Sequence, residues 1–255
     1  MSGPPTGKSG FAATLRRLPS AQKSAQGAPA YSRFVNRRAG GVLAAAAYQL
    51  GLTPNAVTAV SAAFTFAGIA GIALVEPSVT SGLLVCAALV LGYALDAADG
   101  QLARLRGGGS ASGEWLDHIV DAAKISALHL AVLLAWYRFF ELPESYLLVP
   151  LGFQVVAVVL FFGMTLNDQL RRVKGVPRAA SGTPSTIRSV LVVPTDYGVL
   201  CLAFLVLGFR DIFTVVYCLL FLANTAFLVA ALRKWFLDMA RLDTAGRTAE
   251  GTDNG

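Results

Sequence analysis

The chain has 255 residues, of which 55% are hydrophobic and 14% charged, and its mean hydropathy is +0.59. A soluble domain carries about 25% charged residues, so this composition excludes most water-soluble folds and predicts one all-α, polytopic membrane domain. The formal net charge of +6 does not point to nucleic acid, because the basic residues lie at the ends of apolar segments. The three cysteines lie inside apolar runs without metal-ligand spacing, so we expect small buried side chains there.

The N-terminal segment divides into a tail and a basic helix. Residues 1–30 are rich in Gly, Pro, Ser and Ala and bury too little apolar surface to order, so we predict a disordered tail. Residues 31–50 carry Arg33, Arg37 and Arg38 ahead of an apolar run. This pattern predicts a partly amphipathic N-terminal helix that lies at the membrane interface. An ordinary juxtamembrane helix with no part in a functional site is an equal alternative.

Six apolar segments follow, each near the length of about 20 residues that crosses about 30 Å of hydrocarbon. We place six transmembrane helices at residues 55–75, 81–103, 115–137, 146–168, 189–208 and 212–235. Breaks rich in Gly, Pro or polar residues separate them. Residues 31–241 then form one membrane domain, and residues 242–255 are predicted to be a short disordered C-terminal tail.

Basic residues indicate how the chain is oriented. An even number of spans puts both termini, the second-third loop and the fourth-fifth loop on the same side of the membrane. Of the 21 Lys and Arg residues, only Arg138, Arg210 and Lys124 lie elsewhere. Because cytosolic loops are enriched in bases, we expect a multi-pass protein of the cell membrane with both termini in the cytosol.

Four aspartates lie where the second predicted span ends and the third begins. Asp96 and Asp99 are three residues apart and Asp117 and Asp121 are four apart, so each pair shares a helix face. A short loop makes the two helices antiparallel neighbours, and the four carboxylates then converge near the cytosolic side. A carboxylate in hydrocarbon costs about 2.5–3.5 kcal/mol, so four of them need compensating positive charge. Two Mg²⁺ ions, or Mn²⁺ as an alternative, match four ionised carboxylates in charge and in their preference for oxygen.

Neighbouring residues leave both a structural and a functional interpretation open. A purely structural alternative pairs the aspartates with Arg104, Arg106 and Lys124, but it does not explain so many carboxylates on two facing stripes. In the functional interpretation, Gly100 leaves room for a ligand and Arg104 meets phosphate oxygens. The loop that ends at Ser110 offers amides and a hydroxyl to a nucleotide. Helix packing, positive-inside bias and a plain linker are the simpler explanations of these features.

The aspartates belong to a longer pattern: Asp96-x2-Asp99-Gly100-x2-Ala103-Arg104-x8-Gly113-x3-Asp117-x3-Asp121. At every fixed position this pattern resembles the signature of the CDP-alcohol phosphatidyltransferases, over 26 residues. The segment Leu52-Thr53-Pro54-Asn55 is similar to the family's Thr-Pro-Asn entry to the first span. The resemblance implies a Mg²⁺-dependent membrane enzyme of phospholipid biosynthesis. Such an enzyme transfers a substituted phosphoryl group from a CDP-alcohol, usually CDP-diacylglycerol, to an alcohol and releases CMP.

The resemblance also implies a role for each matching residue. The metal ligands would be Asp96, Asp99, Asp117 and Asp121. Asp121 would in addition act as the general base on the acceptor hydroxyl. The residues that contact the CDP donor would be Thr53, Pro54, Asn55, Gly100, Arg104 and Ser110.

The signature does not identify the acceptor. Family members that use phosphorylated polyols, such as inositol phosphate or glycerol 3-phosphate, place bases around a second pocket. The candidate acceptor-binding residues here are Lys124, Arg171, Arg178 and Arg188. Lys124 can instead pair with Asp121, and the loop bases also fit positive-inside topology. Residues 167–174 lack the Arg-x-Arg-Ala-Glu-like run expected of enzymes for either polyol phosphate, and Asp196 is either part of an acceptor pocket or a local kink.

Two other functions compete with this interpretation. An intramembrane prenyltransferase also binds a diphosphate through aspartates and Mg²⁺, but it predicts two aspartate-rich motifs far apart in the chain. A divalent-cation transporter needs carboxylates near the bilayer midplane with a pathway to both sides, whereas these lie toward one face. We therefore expect the lipid bilayer, a CDP-lipid donor and an alcohol or polyol-phosphate acceptor as partners, and no nucleic acid. A homodimer is an open alternative, because no residue identifies an interface.

Overall fold

The computed structural model describes residues 29–176 and 193–252, together with Phe11, Thr14, Leu15 and Leu18, and it describes side chains as far as Leu242. All regular structure in these residues is helical, which confirms the predicted all-α class. The helices are α1 (Arg37–Gln49), α2 (Pro54–Leu74), α3 (Val79–Leu105), α4 (Ala111–Phe139), α5 (Leu148–Val173), α6 (Tyr197–Ala203) and α7 (Arg210–Thr252). A π-helical turn, Ser32–Asn36, leads into α1, and short 3-10 turns flank α5 and α6.

Among the described residues, five helices are long and apolar enough to cross a membrane: Pro54–Leu74, Val79–Leu105, Ala111–Phe139, Glu144–Val173 and Arg210–Leu242. They correspond to five of the six predicted spans, so the prediction of a polytopic helical membrane protein is confirmed. The remaining predicted span, 189–208, includes residues outside the described part of the chain. Its described portion contains the shorter apolar helix Tyr197–Val206. A sixth crossing therefore stays a prediction.

The local sequence explains where the helices around the predicted site begin and turn. Thr53, Ser78 and Ser110 are the N-caps of α2, α3 and α4, and each hydroxyl accepts a hydrogen bond from the backbone N–H three residues on. Between α3 and α4 the chain reverses over Gly107 and Gly108, whose φ angles of +99° and +138° favour glycine. This reversal places the end of α3 beside the start of α4.

The largest hydrophobic cluster of the described residues lies toward the opposite end of the bundle from that reversal. Its largest fully buried side chains include Trp136, Tyr217, Phe204 and Phe213. The rings of Trp136 and Tyr217 lie 5.4 Å apart between centroids, as do those of Phe204 and Phe213. Aromatic pairs at this distance add to the burial of apolar area. Helix α2 packs against both α3 and α4, and side chains of all three helices share this cluster. The polar halves of α3 and α4 come near each other at the other end, where Lys124 of α4 reaches Asp96 of α3.

Helix α1 packs across the polar half of α3. A Cβ atom built on Gly40 would lie 2.8 Å from the Cβ of Ala97, so the close approach of the two helices requires glycine there. The Gln101 side chain on α3 donates a hydrogen bond to the Arg37 carbonyl at 3.1 Å. The helix predicted in residues 31–50 is therefore present and docked on α3, while its place at a membrane interface stays a prediction.

The two predicted tails are described only in part. Leu18 is buried against α1 and α3, and Thr14 accepts a hydrogen bond from Gln49 at 3.0 Å, so these positions of the tail are packed. Most of residues 1–28 lies outside the described residues. At the other end α7 extends as far as Thr252, and the predicted domain boundary at residue 242 stays a prediction.

Candidate active site

A cleft of about 260 Å³ lies where the polar half of α3 meets α1 and α4. Three of the four predicted aspartates, Asp96, Asp99 and Asp117, line this cleft. Gly100 and Arg104, two of the predicted donor residues, also line it. The reversal between α3 and α4, with α2 packed against both helices, thus brings residues from both halves of the sequence pattern to one cavity.

Asp99 is the most deeply buried of the four carboxylates, with 6% of its surface exposed. The Thr58 hydroxyl on α2 donates a hydrogen bond to its Oδ2 at 2.6 Å. The nearby carboxylates of Asp96 and Asp117 add negative charge to the same environment. A buried carboxylate among like charges is costly to keep ionised unless a cation is close. The surroundings of Asp99 therefore favour a bound cation.

Lys124 supplies a fixed positive charge to this cluster from α4. Its Nζ lies 2.9 Å from Asp96 Oδ1 and 2.5 Å from Asp121 Oδ1, and its side chain is 7% exposed. The lysine therefore joins α3 to α4 and offsets part of the negative charge. Pairing of Lys124 with Asp121 was an open alternative from the sequence, and the structure shows that pair and a second one with Asp96. Neither Lys124 nor Asp121 is among the described residues that line the cleft.

A compact set of ligand atoms lies on the first half of α4. Atoms of Asp117, His118 and Asp121 all lie within 4.8 Å of one another, close enough to contact one cation together. In the part of the chain that the structure describes, the buried Nδ1 of His118 has no hydrogen-bond partner. Carboxylates suit Mg²⁺ and Mn²⁺, and an imidazole suits transition metals. With Asp96 and Asp99 nearby, these donors fit a divalent cation, and His118 adds a donor that was not among the predicted site residues.

Two guanidinium groups give the same cleft a basic side. Arg37 of α1 and Arg104 of α3 both line it. Arg104 folds back over Gly100, where an added Cβ would lie 3.4 Å from Arg104 Nη1. Burial lowers the pKa of Arg37 from its ordinary value, Tyr93 opposes that shift, and the positive charge of Arg33 lowers the pKa further. An arginine still keeps its charge near neutral pH, so carboxylates and guanidiniums face one cavity.

The other predicted donor residues lie at the starts of α2 and α4. Thr53 caps α2 and Pro54 is in the first turn of that helix. The Asn55 Oδ1 and the Ser110 Oγ would each lie 3.1 Å from a Cβ built on Gly113, so both side chains lie against this glycine. The structure therefore brings Asn55 and Ser110 together. Neither residue is among the described residues that line the cleft.

The predicted acceptor residues do not gather at one place in the described structure. Arg171 Nη2 lies 3.1 Å from Asp238 Oδ2 on α7, and Lys124 is held by the two aspartates named above. Arg178 and Arg188 lie outside the described residues. An acceptor-binding role for any of these bases stays a prediction.

Part of the cleft wall was not among the predicted site residues. Ser32, Asn36 and Arg37 line the cleft from the π-helical turn and the start of α1, and Tyr93 lines it from α3. The Asn36 side chain donates a hydrogen bond to the Tyr93 carbonyl at 3.1 Å. Tyr93 lies three residues before Asp96, so helical spacing alone could have identified it. The places of Ser32 and Asn36 depend on how α1 packs, which no local pattern reveals.

The fold and the site together define a polytopic helical membrane protein with a carboxylate-lined cleft between helix ends. The chain belongs to the CDP-alcohol phosphatidyltransferase family, whose family model matches residues 51–232. That range contains both aspartate pairs, Arg104 and the Thr53-Pro54-Asn55 segment.

Solved structures share this fold. One is the phosphatidylinositol phosphate synthase PgsA1 of Mycobacterium tuberculosis with CDP-DAG bound, with 22% identity, a TM-score of 0.52, and coverage of 79% of this chain and 94% of that chain. The same synthase in complex with manganese and citrate has 23% identity, a TM-score of 0.50, and coverage of 76% and 87%. At these identities the likeness shows the fold alone. A comparison with curated proteins finds no significant match.

Proposed function

We propose that this protein transfers a substituted phosphoryl group from a CDP-alcohol, with CDP-diacylglycerol as the donor, to an alcohol or polyol-phosphate acceptor, and releases CMP. The observation that carries the proposal is the cleft in which Asp96, Asp99 and Asp117 lie with Arg37 and Arg104. A diphosphate needs positive charge around its oxygens, and a cleft with both guanidiniums and metal-binding carboxylates offers two sources of it. Membership in the family supports this class of reaction.

The donor would bind with its diphosphate beside Arg104 and Arg37. Gly100, next to Asp99, leaves space on α3 for that group to approach the backbone. Asn55 and Ser110 lie together at the starts of α2 and α4, and we propose that they, with Thr53 and Pro54, contact the cytidine part. This assignment rests on the resemblance of these positions to the family's pattern.

The proposed metal ligands are Asp96, Asp99, Asp117 and Asp121, with two Mg²⁺ or Mn²⁺ ions. The close grouping of donor atoms on α4 supports at least one site. PgsA1, which shares this fold, was solved in complex with manganese. Divalent cations bound there would neutralise the diphosphate and the charge that develops on the departing CMP.

Asp121 is proposed as the general base. The hydroxyl oxygen of the acceptor forms a bond to the phosphorus that carries diacylglycerol. The bond from that phosphorus to the oxygen of CMP breaks, CMP leaves with the bonding electrons, and the hydroxyl proton passes to Asp121. Asp121 is held by the Lys124 ammonium, which orients its carboxylate on the α4 face that also carries Asp117.

The arginines at the two ends of the bundle bear on which side of the membrane the cleft faces. Arg104 and Arg106 lie at the cleft end of α3, whereas Arg138 and Arg210 lie at the other end of the bundle, near Ala73 and Glu76. This bias supports a cytosolic cleft, where a nucleotide-activated donor is available. Inositol phosphate and glycerol 3-phosphate both remain candidate acceptors.

A direct assay tests the proposed function. The purified full chain in lipid nanodiscs is given labelled CDP-diacylglycerol, Mg²⁺ and one acceptor at a time, from free and phosphorylated polyols, and CMP is measured. We expect release that needs both the metal and one particular acceptor. Asp211→Asn, an exposed acid at the start of α7, is the control and should retain full activity. Bound donor without CMP release for every acceptor would contradict the proposal.

A further inference from the structure

Asp196 is a buried carboxylate outside the five long helices, and the proposed reaction makes no use of it. Only 2% of its surface is exposed. Its Oδ1 accepts a hydrogen bond from the Gly198 N–H at 3.0 Å and caps the start of α6. Its Oδ2 accepts a hydrogen bond from the Ser32 N–H at 2.8 Å, 164 residues away in the chain. One carboxylate therefore satisfies backbone donors at the beginnings of two separate helical segments.

Aromatic packing surrounds this double cap. The Tyr31 ring lies directly on Gly198, where a Cβ atom would overlap it. The Tyr31 ring is stacked with the Tyr93 ring at 6.4 Å between centroids, and Tyr93 meets Tyr197 edge-on at 5.1 Å. The N-terminal segment, α3 and α6 thus meet at three tyrosines and one carboxylate.

The segment that Asp196 holds is one wall of the cleft. Ser32, whose N–H bonds to Asp196, lines the cleft together with Asn36 and Arg37 of the same helical segment. The distance from the Arg37 guanidinium to the aspartates therefore depends on where this segment lies. Small displacements of a group that binds a reacting substrate weaken its contribution strongly.

We infer that Asp196 is a positioning residue: it fixes the N-terminal segment on α6 and so places Arg37 at the cleft for the donor diphosphate. The inference rests on the proposed function, because it assigns Arg37 to donor binding. The position needs two acceptor oxygens and no donor, which a carboxylate provides. Asparagine offers one acceptor oxygen and would turn an NH₂ group toward one of the backbone N–H groups.

Asp196→Asn tests the two hydrogen bonds separately. The remaining side-chain oxygen can still cap α6, while the bond from the Ser32 N–H is lost. Gly198→Ala is a second, independent variant, since its methyl group displaces the Tyr31 ring and leaves the carboxylate unchanged. Asp211→Asn is the matched control. A spin label at Phe34→Cys, a position 40% exposed on the N-terminal segment, reports the mobility of that segment in the full chain with Cys86, Cys201 and Cys218 replaced by alanine.

We expect the label to be more mobile in both test variants than in the unmodified protein. In the control its mobility should be unchanged. The KM for CDP-diacylglycerol should rise about tenfold with a smaller change in kcat, as expected for loss of about one binding interaction. Unchanged label mobility would overturn the inference, and so would a mobile label with an unchanged donor KM. If the unmodified protein releases no CMP, the proposed function fails, while the label still shows whether Asp196 holds the segment.

Discussion

The Lys124 ammonium on α4 lies 2.9 Å from the Asp96 carboxylate on α3. The same ammonium contacts Asp121, so a single buried cation joins the two aspartate pairs of the sequence pattern. Four carboxylates on facing helices repel one another, and Lys124 opposes that repulsion before any divalent cation binds. The proposed metal site is therefore already partly neutralised by the chain itself.

Replacing Lys124 tests this electrostatic role. In Lys124→Met, Asp96 and Asp121 lose their shared counter-charge, and breaking a buried pair in this way costs about 3–5 kcal/mol. We expect a lower thermal unfolding midpoint without divalent cations and a larger stabilisation by Mn²⁺ than in the unmodified protein. Lys234→Met changes an exposed lysine on α7 and is the control. An equal response to Mn²⁺ in both variants would show that Lys124 does not offset charge at a metal site.

Asp121→Asn tests the assignment of the general base. The amide cannot accept the hydroxyl proton, so we expect kcat for CMP release to fall by about 10²–10⁴. Binding of labelled CDP-diacylglycerol should persist, because Asp96, Asp99, Asp117 and the two arginines are unchanged. Single-turnover measurement of CMP release at saturating donor separates the two effects. A variant that still releases CMP at the original rate would exclude Asp121 as the base.

His118→Phe tests the donor set on α4. Phenylalanine keeps a ring to pack against Phe161 and removes both nitrogens. If His118 binds the cation with Asp117 and Asp121, the affinity for Mn²⁺ should fall about tenfold, while the affinity for Mg²⁺, which prefers oxygen, should change less. Electron paramagnetic resonance of free Mn²⁺ measures the first quantity, and competition by Mg²⁺ measures the second. Identical Mn²⁺ titrations would leave the carboxylates as the only ligands from this set.

Arg104→Lys tests donor binding at the basic side of the cleft. Lysine keeps the charge but cannot form the paired hydrogen bonds of a guanidinium with phosphate oxygens. We expect the KM for CDP-diacylglycerol to rise about tenfold, since a hydrogen bond to a charged group contributes about 1.5–3 kcal/mol. Arg106→Lys, an exposed arginine two residues on, controls for changes in membrane contact. Equal effects of the two substitutions would show that Arg104 acts through the membrane interface and not through the donor.

Some features of this protein follow from short stretches of sequence. Hydrophobic segments of spanning length predicted five of the long helices, because crossing a membrane depends on local length and composition. Helical spacing put Asp96 with Asp99 and Asp117 with Asp121 on shared faces. The glycines at 107 and 108 indicated the reversal that sets α3 beside α4. Each of these depends on residues within one or two helical turns of each other.

Other features depend on contacts between distant parts of the chain. The pairing of Lys124 with Asp96 spans 28 residues and the bond from Ser32 to Asp196 spans 164. Neither has a periodic signal, because each forms only when separate helices pack at a particular distance and rotation. Composition and spacing alone determined that this is a helical membrane protein with two carboxylate pairs. Tertiary packing decided that the Lys124 ammonium lies between those carboxylates and that the N-terminal segment forms one wall of the cleft. The reason is that packing brings together groups that lie far apart in the chain.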